Sequence, residues 1–563
     1  MDNSLAKKSL LRKIGYTRFA VLIGGAIGAV FFLVVFGFET LNVTNDSFIM
    51  NGHVETDVIC EYLGWINLRN SEWMFPIGCY TTAGFPHGNS VALTGSLPIF
   101  SIFFKLLSPI LPQTFQFVGI WNLLHYILQG ASAALLISLF TDSLFTNAIA
   151  SLLFVASPIM AERAFRHNTL STHFLLLLAF YLYIKIKREP KPRYFVLFIA
   201  LLVVSVLYVA YFYAMVFAIF AAAVLQYAFR EKKFAKSLFN LALGILLPVA
   251  AAYCIGMFSS QAPVAREGFG LFSLNLNQIY NPYSFGDLNW SQVLPYQKFM
   301  QYQYDSFNYL GFGVIVGCFV SVILFVVKYK SNTFRRISQM LRDHTWLALA
   351  LLALTLYSLS NVIYFGETLV LGIPLPQFVL RLCAYLRASS RMFYPVYYMF
   401  FIVTVVAFVK LLPKNWSKAA LVALVAVQLF DISGGLIWKH NALTDIPKYY
   451  NLHQSDLLED LRADYDKLIY LTDYNSNDMR LGVYYAKLGY TTNFNASPLN
   501  DIYGSSQFAA DCLEQLKRGE FMPDTIYVCP NEAVYDSLKK PLEGKAAFET
   551  FGQTLYIIPN EVD

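Results

Sequence analysis

The chain has 563 residues, of which 56% are hydrophobic, 17% aromatic and only 14% charged. A soluble protein carries about 25% charged residues, so this composition excludes a water-soluble enzyme and predicts an α-helical polytopic membrane protein. The net charge of +6 is divided among short loops between apolar runs. It therefore does not indicate nucleic-acid binding.

The first apolar segment, residues 19–36, follows a basic N-terminal stretch that contains Lys7, Lys8, Arg12, Lys13 and Arg18. By the positive-inside rule this stretch stays in the cytoplasm and the loop after residue 36 emerges on the opposite face. No small-residue cleavage site follows, so we interpret the segment as an anchor instead of a signal peptide.

Ten further apolar segments predict eleven spans in all: 117–140, 145–160, 168–184, 195–210, 213–229, 237–258, 307–327, 345–365, 392–409 and 419–438. Segment 91–111 is also apolar, but Pro98, Lys105 and Pro109 favour a re-entrant or interfacial helix. With that reading the Lys and Arg residues concentrate in the inside loops. The pattern predicts a cytoplasmic N-terminus and an external C-terminus.

Beyond residue 438 the charge rises and the apolar runs shorten to strand length, at 467–472, 525–529 and 554–558. Helical patterns at 478–488 and 506–519 alternate with them. We therefore predict a transmembrane domain over 1–438 and a small external α/β domain over 439–563. Two cysteine pairs lie outside and form disulfides or stay buried free thiols: Cys60 with Cys79, and Cys512 with Cys529.

The first outer loop carries His53, Glu55 and Asp57. Asp57, Glu61 and Gly64 have helical spacing and predict an amphipathic helix on the membrane surface. Asp57 is then either a general base in low-dielectric surroundings or the cap of a solvated helix.

Two more outer loops concentrate polar groups. Residues 161–173 include Arg163, Arg166, His167 and His173, of which His173 enters a span, where a polar group is costly. A satisfied interhelical histidine is the alternative. The later loop breaks the positive-inside rule with three basic residues at one membrane-entry point, Arg381, Arg387 and Arg391.

Arg387 and Arg391 lie four residues apart, as on one helical face, and arginine binds phosphate bidentately. Snorkelling of these side chains to lipid headgroups is the alternative. Tyr304 and Asn308 belong to an aromatic, amide-rich stretch that suits either a sugar-binding rim or an interfacial belt. No zinc spacing, phosphate loop, nucleotide fingerprint or serine-hydrolase elbow occurs, so an external enzyme would need a lipid-linked donor.

These stretches resemble a bacterial multi-spanning family within the GT-C superfamily of glycosyltransferases. The resemblance lies in residues 57–65, 73–78, 96–111, 115–119, 167–175, 307–311, 359–361 and 387–398. It implies a GT-C-like membrane fold that takes a sugar from a polyprenyl-phosphate carrier. It also implies that Glu55 and Asp57 provide a base or ligands of a divalent cation, Mg²⁺ or Mn²⁺. Gly95 departs from the family pattern, which has an acidic residue there.

The sequence hypothesis is an inverting glycosyltransferase of a bacterial inner membrane that acts on a surface glycan such as O-antigen, on the periplasmic face. Its partners are a polyprenyl-phosphate-linked sugar, a glycan or lipid-linked acceptor, and membrane lipids. Asp57 and Glu55 are the predicted catalytic pair. Arg387, Arg391, Arg163 and Arg166 bind the donor phosphate. His53, His167, His173, Tyr304 and Asn308 contact substrate. The alternatives are a lipid-linked glycan flippase or transporter and an O-antigen-type polymerase or ligase.

Overall fold

The computed structural model describes residues 2–51, 56–259, 268–284, 288–451, 454–472, 479–494 and 502–560. Its helices are α1 Asp2–Phe36, α2 Ser47–Met50, α3 Thr56–Asn70, α4 Pro98–Leu106, α5 Val118–Ile137, α6 Leu144–Val155, α7 Pro158–Arg163, α8 Phe174–Arg188, α9 Pro192–Tyr208, α10 Ala210–Glu231, α11 Phe234–Cys254, α12 Phe312–Tyr329, α13 Thr333–Asp343, α14 Thr345–Leu359, α15 Gln377–Ala384, α16 Tyr394–Leu411, α17 Lys414–Asp431, α18 Ser433–Thr444, α19 Asp456–Asp460, α20 Met479–Leu488, α21 Ile502–Lys517 and α22 Glu532–Lys539.

The strands are β1 Cys79–Tyr80, β2 Asn89–Ser90, β3 Val362–Phe365, β4 Thr368–Gly372, β5 Lys467–Tyr470, β6 Thr491–Thr492, β7 Thr525–Cys529, β8 Ala546–Phe551 and β9 Thr554–Pro559. The chain forms two compact units. The first comprises Met1–Asn42, Phe117–Val249 and Glu267–Asp445, and the second comprises Val43–Gln116, Ala250–Arg266 and Ile446–Asp563. The first unit extends to Asp445 because α18 continues through the predicted boundary at 438.

Within the described ranges, seven helices are long and apolar enough to cross a membrane, or eight if the bent pair α17 and α18 forms one span. Three shorter apolar helices, α6, α9 and α14, accompany them. The protein is therefore a helical, multi-pass membrane protein, as predicted. Each of the eleven predicted spans overlaps one of these helices, and the span count itself stays a prediction.

Local chemistry explains where helices depart from the predicted spans. Segment 145–160 is divided between α6 and α7, because Pro158 can begin a helix but cannot continue one. Segment 91–111 contains only the nine-residue α4, about 14 Å long, which is too short to cross a bilayer core of about 30 Å. The break between the predicted segments 195–210 and 213–229 occurs at Val209, whose backbone is extended between α9 and α10.

The core of the first unit is packed with aromatic side chains, and α1 and α5 approach each other through glycines. A Cβ atom on Gly28 would collide with the carbonyl of Tyr126, and one on Gly24 would collide with the carbonyl of Gly130. Gly24 and Gly28 form a GxxxG pattern, which allows helix backbones to approach closely in a membrane. The two helices therefore pack backbone against backbone.

The second unit contains a five-stranded sheet of order β6-β5-β7-β9-β8, in which β6, β5 and β7 are parallel and β9 pairs antiparallel with β7 and β8. The three strands predicted from the sequence are its central members, β5, β7 and β9. The first outer loop belongs to this unit and extends the sheet: the amides of Gly84 and Phe85 donate to the carbonyls of Phe494 and Thr492, at 2.8 and 3.1 Å.

Helix α3 lies inside the second unit, since residues 58–68 are buried. The side-chain amide of Asn70 donates to the backbone carbonyl of Ala486 on α20 at 2.6 Å, and Leu63 packs against Gly482 of the same helix. The alternative of a solvated helix is therefore wrong for α3. The helical spacing was correct, but both faces of the helix are covered by protein.

Candidate functional site

Asp305 links two arginines that come from distant parts of the first unit. Arg163 is the last residue of α7, Asp305 lies in a 3₁₀ turn before α12, and Arg391 lies in another before α16. Arg163 donates through Nη1 to Oδ1 of Asp305 at 2.7 Å and through Nη2 to its backbone carbonyl at 2.6 Å. Arg391 donates through Nε to Oδ2 at 2.9 Å. Asp305 therefore fixes both guanidinium groups.

Burial alone would raise the pKa of Asp305, but the charges of Arg163 and Arg391 outweigh burial and hold that pKa well below its usual range. Burial would lower the pKa of Arg163, and Asp305 raises it above the usual value. Both groups are consequently ionised at any physiological pH. A buried pair of this kind is stable only because each charge has a hydrogen-bonded partner of opposite sign.

Glu162 is the second buried carboxylate. Its side chain pairs with Arg166 and lies 3.3 Å from Nε of Arg163. The hydroxyl of Ser284 donates to it at 3.3 Å. Lys439 of α18 donates to the backbone carbonyls of Glu162 and Ala164 at 3.1 and 2.8 Å. We call the six residues Glu162, Arg163, Arg166, Asp305, Arg391 and Lys439 the arginine cluster.

The turn after α7 brings the basic residues of this cluster together. Phe165 has a positive φ of 58°, which is unusual for a residue with a side chain. Its amide donates to Oδ1 of Asn168 at 2.9 Å, and this bond holds the turn. The reversal allows Arg166, three residues after Arg163, to reach the same carboxylate of Glu162. Such local strain is often found at functional sites.

Arg391 has the most exposed side chain among the arginines of the cluster. Its side chain is 17% exposed, compared with 0% for Arg163. Nε is held by Asp305, and the guanidinium lies over the ring of Tyr211, 4.8 Å from its centroid. Neither Nη group hydrogen-bonds to another residue in the described part of the chain. The guanidinium is thus held through Nε, and both Nη groups remain as hydrogen-bond donors for an anion.

Arg387 does not share a helical face with Arg391, contrary to the sequence prediction. Helix α15 ends at Ala384, and Ala388 has a non-helical backbone before the next turn begins at Ser389. Arg387 instead lies over the ring of Phe272, 5.6 Å from its centroid. Arg381 on α15 is exposed.

Three other residues of the first unit that were predicted to contact substrate lie close to the arginine cluster or just before α12. His167 lies near Asp305 and helps to lower its pKa. The ring of Tyr304 is 6.0 Å from the guanidinium of Arg166. Asn308 is fully buried, and its side-chain amide donates to the backbone carbonyl of Ser306 at 2.8 Å. Only His167 and Tyr304 are half-buried, so they are better placed than Asn308 to meet a ligand.

His173 is fully buried among aromatic side chains. Its Nδ1 atom lies 2.6 Å from the hydroxyl of Tyr398, and its ring packs against Tyr394 with centroids 5.0 Å apart. Tyr398 also bonds to Gln129 and Ser157. This arrangement agrees with the interhelical histidine that the sequence left open as the alternative only in part, because Nε2 is buried without a hydrogen-bond partner in the described residues.

In the second unit, Asp57 lies in the first turn of α3 and is half-buried. Glu61, one turn later, is 6% exposed and lies beside Gly95, whose φ is +73°. Gly95, where the resemblance implies an acidic residue, therefore lies beside a buried carboxylate. Predicted residues His53 and Glu55 lie outside the described residues.

No group of three or more His, Cys, Asp or Glu side chains in the described ranges is arranged to hold a metal ion. All seven cysteines are free thiols. Cys60 contacts the sulfur of Met479 at 3.6 Å, and Cys512 contacts that of Met522 at 3.8 Å. The two disulfide alternatives are therefore not realised, and the alternative of free thiols is.

Sequence reasoning did not assign a role to Asp305, Glu162, Lys439 or Tyr211. The available signal was the isolated acidic residue at 305 in an aromatic turn directly before an apolar helix, because a carboxylate at a membrane entry needs a partner. Lys439 gave no usable signal, since its position next to Trp438 reads as an ordinary interfacial lysine.

Residues 25–433 match a family model described as a domain of unknown function, DUF6311. No curated protein matches the chain. The matched region contains Asp57 and every member of the arginine cluster except Lys439. Because it covers well over half of the chain, this protein belongs to the DUF6311 family.

Proposed function

We propose that this protein is a membrane glycosyltransferase that moves a sugar from a polyprenyl-phosphate donor to a surface glycan. The observation that carries the proposal is the guanidinium of Arg391, fixed by Asp305 and Tyr211 with both Nη groups available. A guanidinium end held in this way matches two oxygens of a phosphate. The resemblance to GT-C glycosyltransferases supports the same donor class.

In the proposed reaction, a hydroxyl of the acceptor glycan attacks the anomeric carbon of the donor sugar. The new carbon–oxygen bond forms as the bond to the lipid phosphate breaks, and the phosphate leaves with the bonding electrons. Asp57 accepts the proton of the attacking hydroxyl. Arg391 stabilises the negative charge that develops on the leaving phosphate. A single displacement inverts the anomeric centre.

Supporting roles follow from the same chemistry. Arg163 and Arg166 are already paired with carboxylates, so we propose that they position Asp305 and Glu162 instead of binding phosphate directly. Arg387, His167 and Tyr304 are proposed to contact the donor. Glu55 is proposed to orient the acceptor. No step of the proposal requires a divalent cation.

We further propose that the protein lies in a bacterial inner membrane with eleven spans, a cytoplasmic N-terminus and a periplasmic segment 446–563. The excess of basic residues in the predicted inside loops supports this orientation. Fusions of a periplasm-active and a cytoplasm-active reporter after Asp445 would test it. Activity of only the periplasmic reporter is expected, and activity of only the cytoplasmic one would reverse the sidedness.

The decisive experiment is the mass profile of surface glycan from a host with and without the protein. We expect the protein to add the mass of one sugar to the glycan and Asp57→Asn to abolish that addition. Arg391→Gln should lower the rate of sugar transfer by about 10²-fold or more. Asp464→Asn is the matched control for Asp57→Asn, and Arg381→Gln is the matched control for Arg391→Gln. Each control makes the same charge change at an exposed residue. Unchanged glycan in a membrane-inserted Asp57→Asn variant would remove Asp57 as the base.

Transport of a lipid-linked glycan is the second candidate, and one observation favours it. Helices α17 and α18 meet at a bend of 56°, and broken helices occur in transporters. Buried Asp431 lies at the bend, but it accepts hydrogen bonds from Ser291, the hydroxyl of Tyr309 at 2.6 Å and the amide of Phe312 at 2.8 Å. Normal glycan mass with lost surface display would favour transport, and altered chain length would favour a polymerase or ligase.

A further inference from the structure

An apolar cavity of about 510 Å³ lies between α10 and α14 and ends at Leu386 and Met392. These two residues are the immediate neighbours of Arg387 and Arg391 in the sequence. On α10 the lining residues include Ala214, Ala218 and Ala221, which recur at intervals of three and four and so share one helical face. Small side chains at these positions leave the space open.

At the end of the cavity remote from the arginines, Trp346 at the start of α14 lines it and stacks on Phe229 of α10 with ring centroids 5.0 Å apart. At the other end the hydroxyl of Tyr357 donates to the carbonyl of Leu386 at 3.3 Å. Along α10 the lining extends from Ala214 to Leu225, roughly 17 Å at 1.5 Å per residue.

Tyr211 connects the cavity to the guanidinium group. It lies three residues before Ala214, the first cavity-lining residue of α10. The guanidinium of Arg391 lies over its ring, and its hydroxyl accepts a hydrogen bond from the backbone amide of Ala388 at 3.0 Å. The apolar channel and the cationic end are therefore parts of one continuous structure on α10, α14 and the segment 386–392.

We propose that this cavity holds the hydrocarbon chain of the donor lipid, with the lipid phosphate on Arg391. The inference rests on the proposed function and identifies where its substrate lies. An apolar cavity whose lining includes Met392, next to the fixed guanidinium of Arg391, complements a lipid chain with an anionic head. A free sugar phosphate would leave the channel unused.

The two parts of the site contribute differently. A hydrocarbon chain gains little hydrophobic free energy by moving from the bilayer to an apolar cavity, because lipid tails are as apolar as leucine side chains. Affinity therefore comes mainly from the phosphate and Arg391. The cavity selects the shape of the chain and orients the phosphate relative to the arginine.

The test uses the full chain in phosphatidylcholine nanodiscs and a polyprenyl phosphate with a diazirine on the isoprene units nearest the phosphate. After irradiation we expect labelled peptides from α10 and α14. Labelling should fall about tenfold in Ala218→Phe, which fills the cavity, and persist in Ala426→Phe, an exposed alanine of α17 outside the cavity lining. Ala353→Phe fills the cavity from the α14 side and replaces Ala218→Phe if that variant does not fold.

Competition separates the donor from bulk lipid. Unlabelled polyprenyl phosphate should displace the probe, whereas polyprenol and phosphatidylglycerol should not. Labelling that is unchanged in both filled variants, that lies elsewhere, or that phosphatidylglycerol displaces equally well would overturn the proposal. Because labelling requires no sugar transfer, a labelled cavity without an Asp57-dependent glycan would contradict only the proposed function.

Discussion

Asp305 determines the position of Arg391, the side chain on which the proposed phosphate site depends. A carboxylate buried to 3% exposure would be very costly alone, but it receives three hydrogen bonds from two arginines through its side chain and backbone oxygens. The Nη groups of Arg391, which we propose bind phosphate, are held in place through the Nε atom that Asp305 binds. The proposed function therefore depends on a residue that positions Arg391 and is not itself proposed to contact the substrate.

We predict that Asp305→Asn destabilises the folded protein by about 3–5 kcal/mol, because it removes the hydrogen-bonded counter-charge of buried Arg163 and leaves Glu162, which is shared with Arg166, as the remaining carboxylate. The pKa of Asp305 is lowered in the folded state. Its stabilisation is therefore fully present above the unfolded-state pKa of about 3.9 and is lost as the pH falls further below that value. Thermal unfolding in detergent from pH 8 to pH 3 measures the difference between the two proteins.

That difference in unfolding temperature should stay constant down to about pH 5 and narrow only below about pH 4. Asp464→Asn, an exposed acid of the second unit, provides the control and should change stability by less than about 0.5 kcal/mol. A difference that already disappears between pH 7 and pH 5 would contradict the ionised, arginine-paired state of Asp305.

At the scale of elements, the packing of α1 on α5 depends on the absence of side chains at Gly24, Gly28 and Gly130. Without a hydrophobic driving force between helices in a bilayer, close backbone contact and van der Waals packing provide the association energy. The first anchor is therefore fixed to the helix that carries Trp121, Asn122 and His125 into the core.

We predict that Gly28→Leu separates α1 from α5, because its side chain would overlap the carbonyl of Tyr126. Gly15→Leu is the matched control, since a Cβ atom at Gly15 meets nothing within 4 Å. The measurement is the thermal stability of the detergent-solubilised protein. Equal stability of the two variants would show that the helices are not in close contact at Gly28.

At the scale of the whole chain, the first outer loop and the C-terminal segment form one folding unit. Residues 43–116 and 446–563 belong to the same compact unit. The ion pair between Lys487 and Asp46, the hydrogen bond from Asn70 to Ala486 and the backbone bonds of Gly84 and Phe85 join them.

We predict that a chain truncated after Asp445 inserts into the membrane but leaves the loop 56–116 open to protease. The reason is that buried residues of α3 such as Leu63 lose their cover from α20. Limited proteolysis followed by mass spectrometry of the fragments detects this. A loop equally protected in the truncated and the full chain would show that it folds without the C-terminal segment.

Some features were predictable because they depend on local periodicity and composition. Unbroken apolar runs must form helices in a membrane, since only a helix satisfies every backbone hydrogen bond within one segment. The eleven predicted spans therefore all overlap helices, and the short alternating runs at 467, 525 and 554 became the strands β5, β7 and β9. The break at Val209 and the short helix in 91–111 also followed from local signals.

Other features depend on contacts between residues far apart in the chain, which periodicity does not encode. The sequence by itself determined a helical membrane protein with cationic loops and an α/β segment at its end. Only the tertiary structure decided that Asp305 pairs with Arg163, 142 positions away, and with Arg391, 86 positions away. Only the tertiary structure shows that α3 is buried against α20 and that His173 lies in the core. Burial and charge pairing depend on which distant segments come into contact.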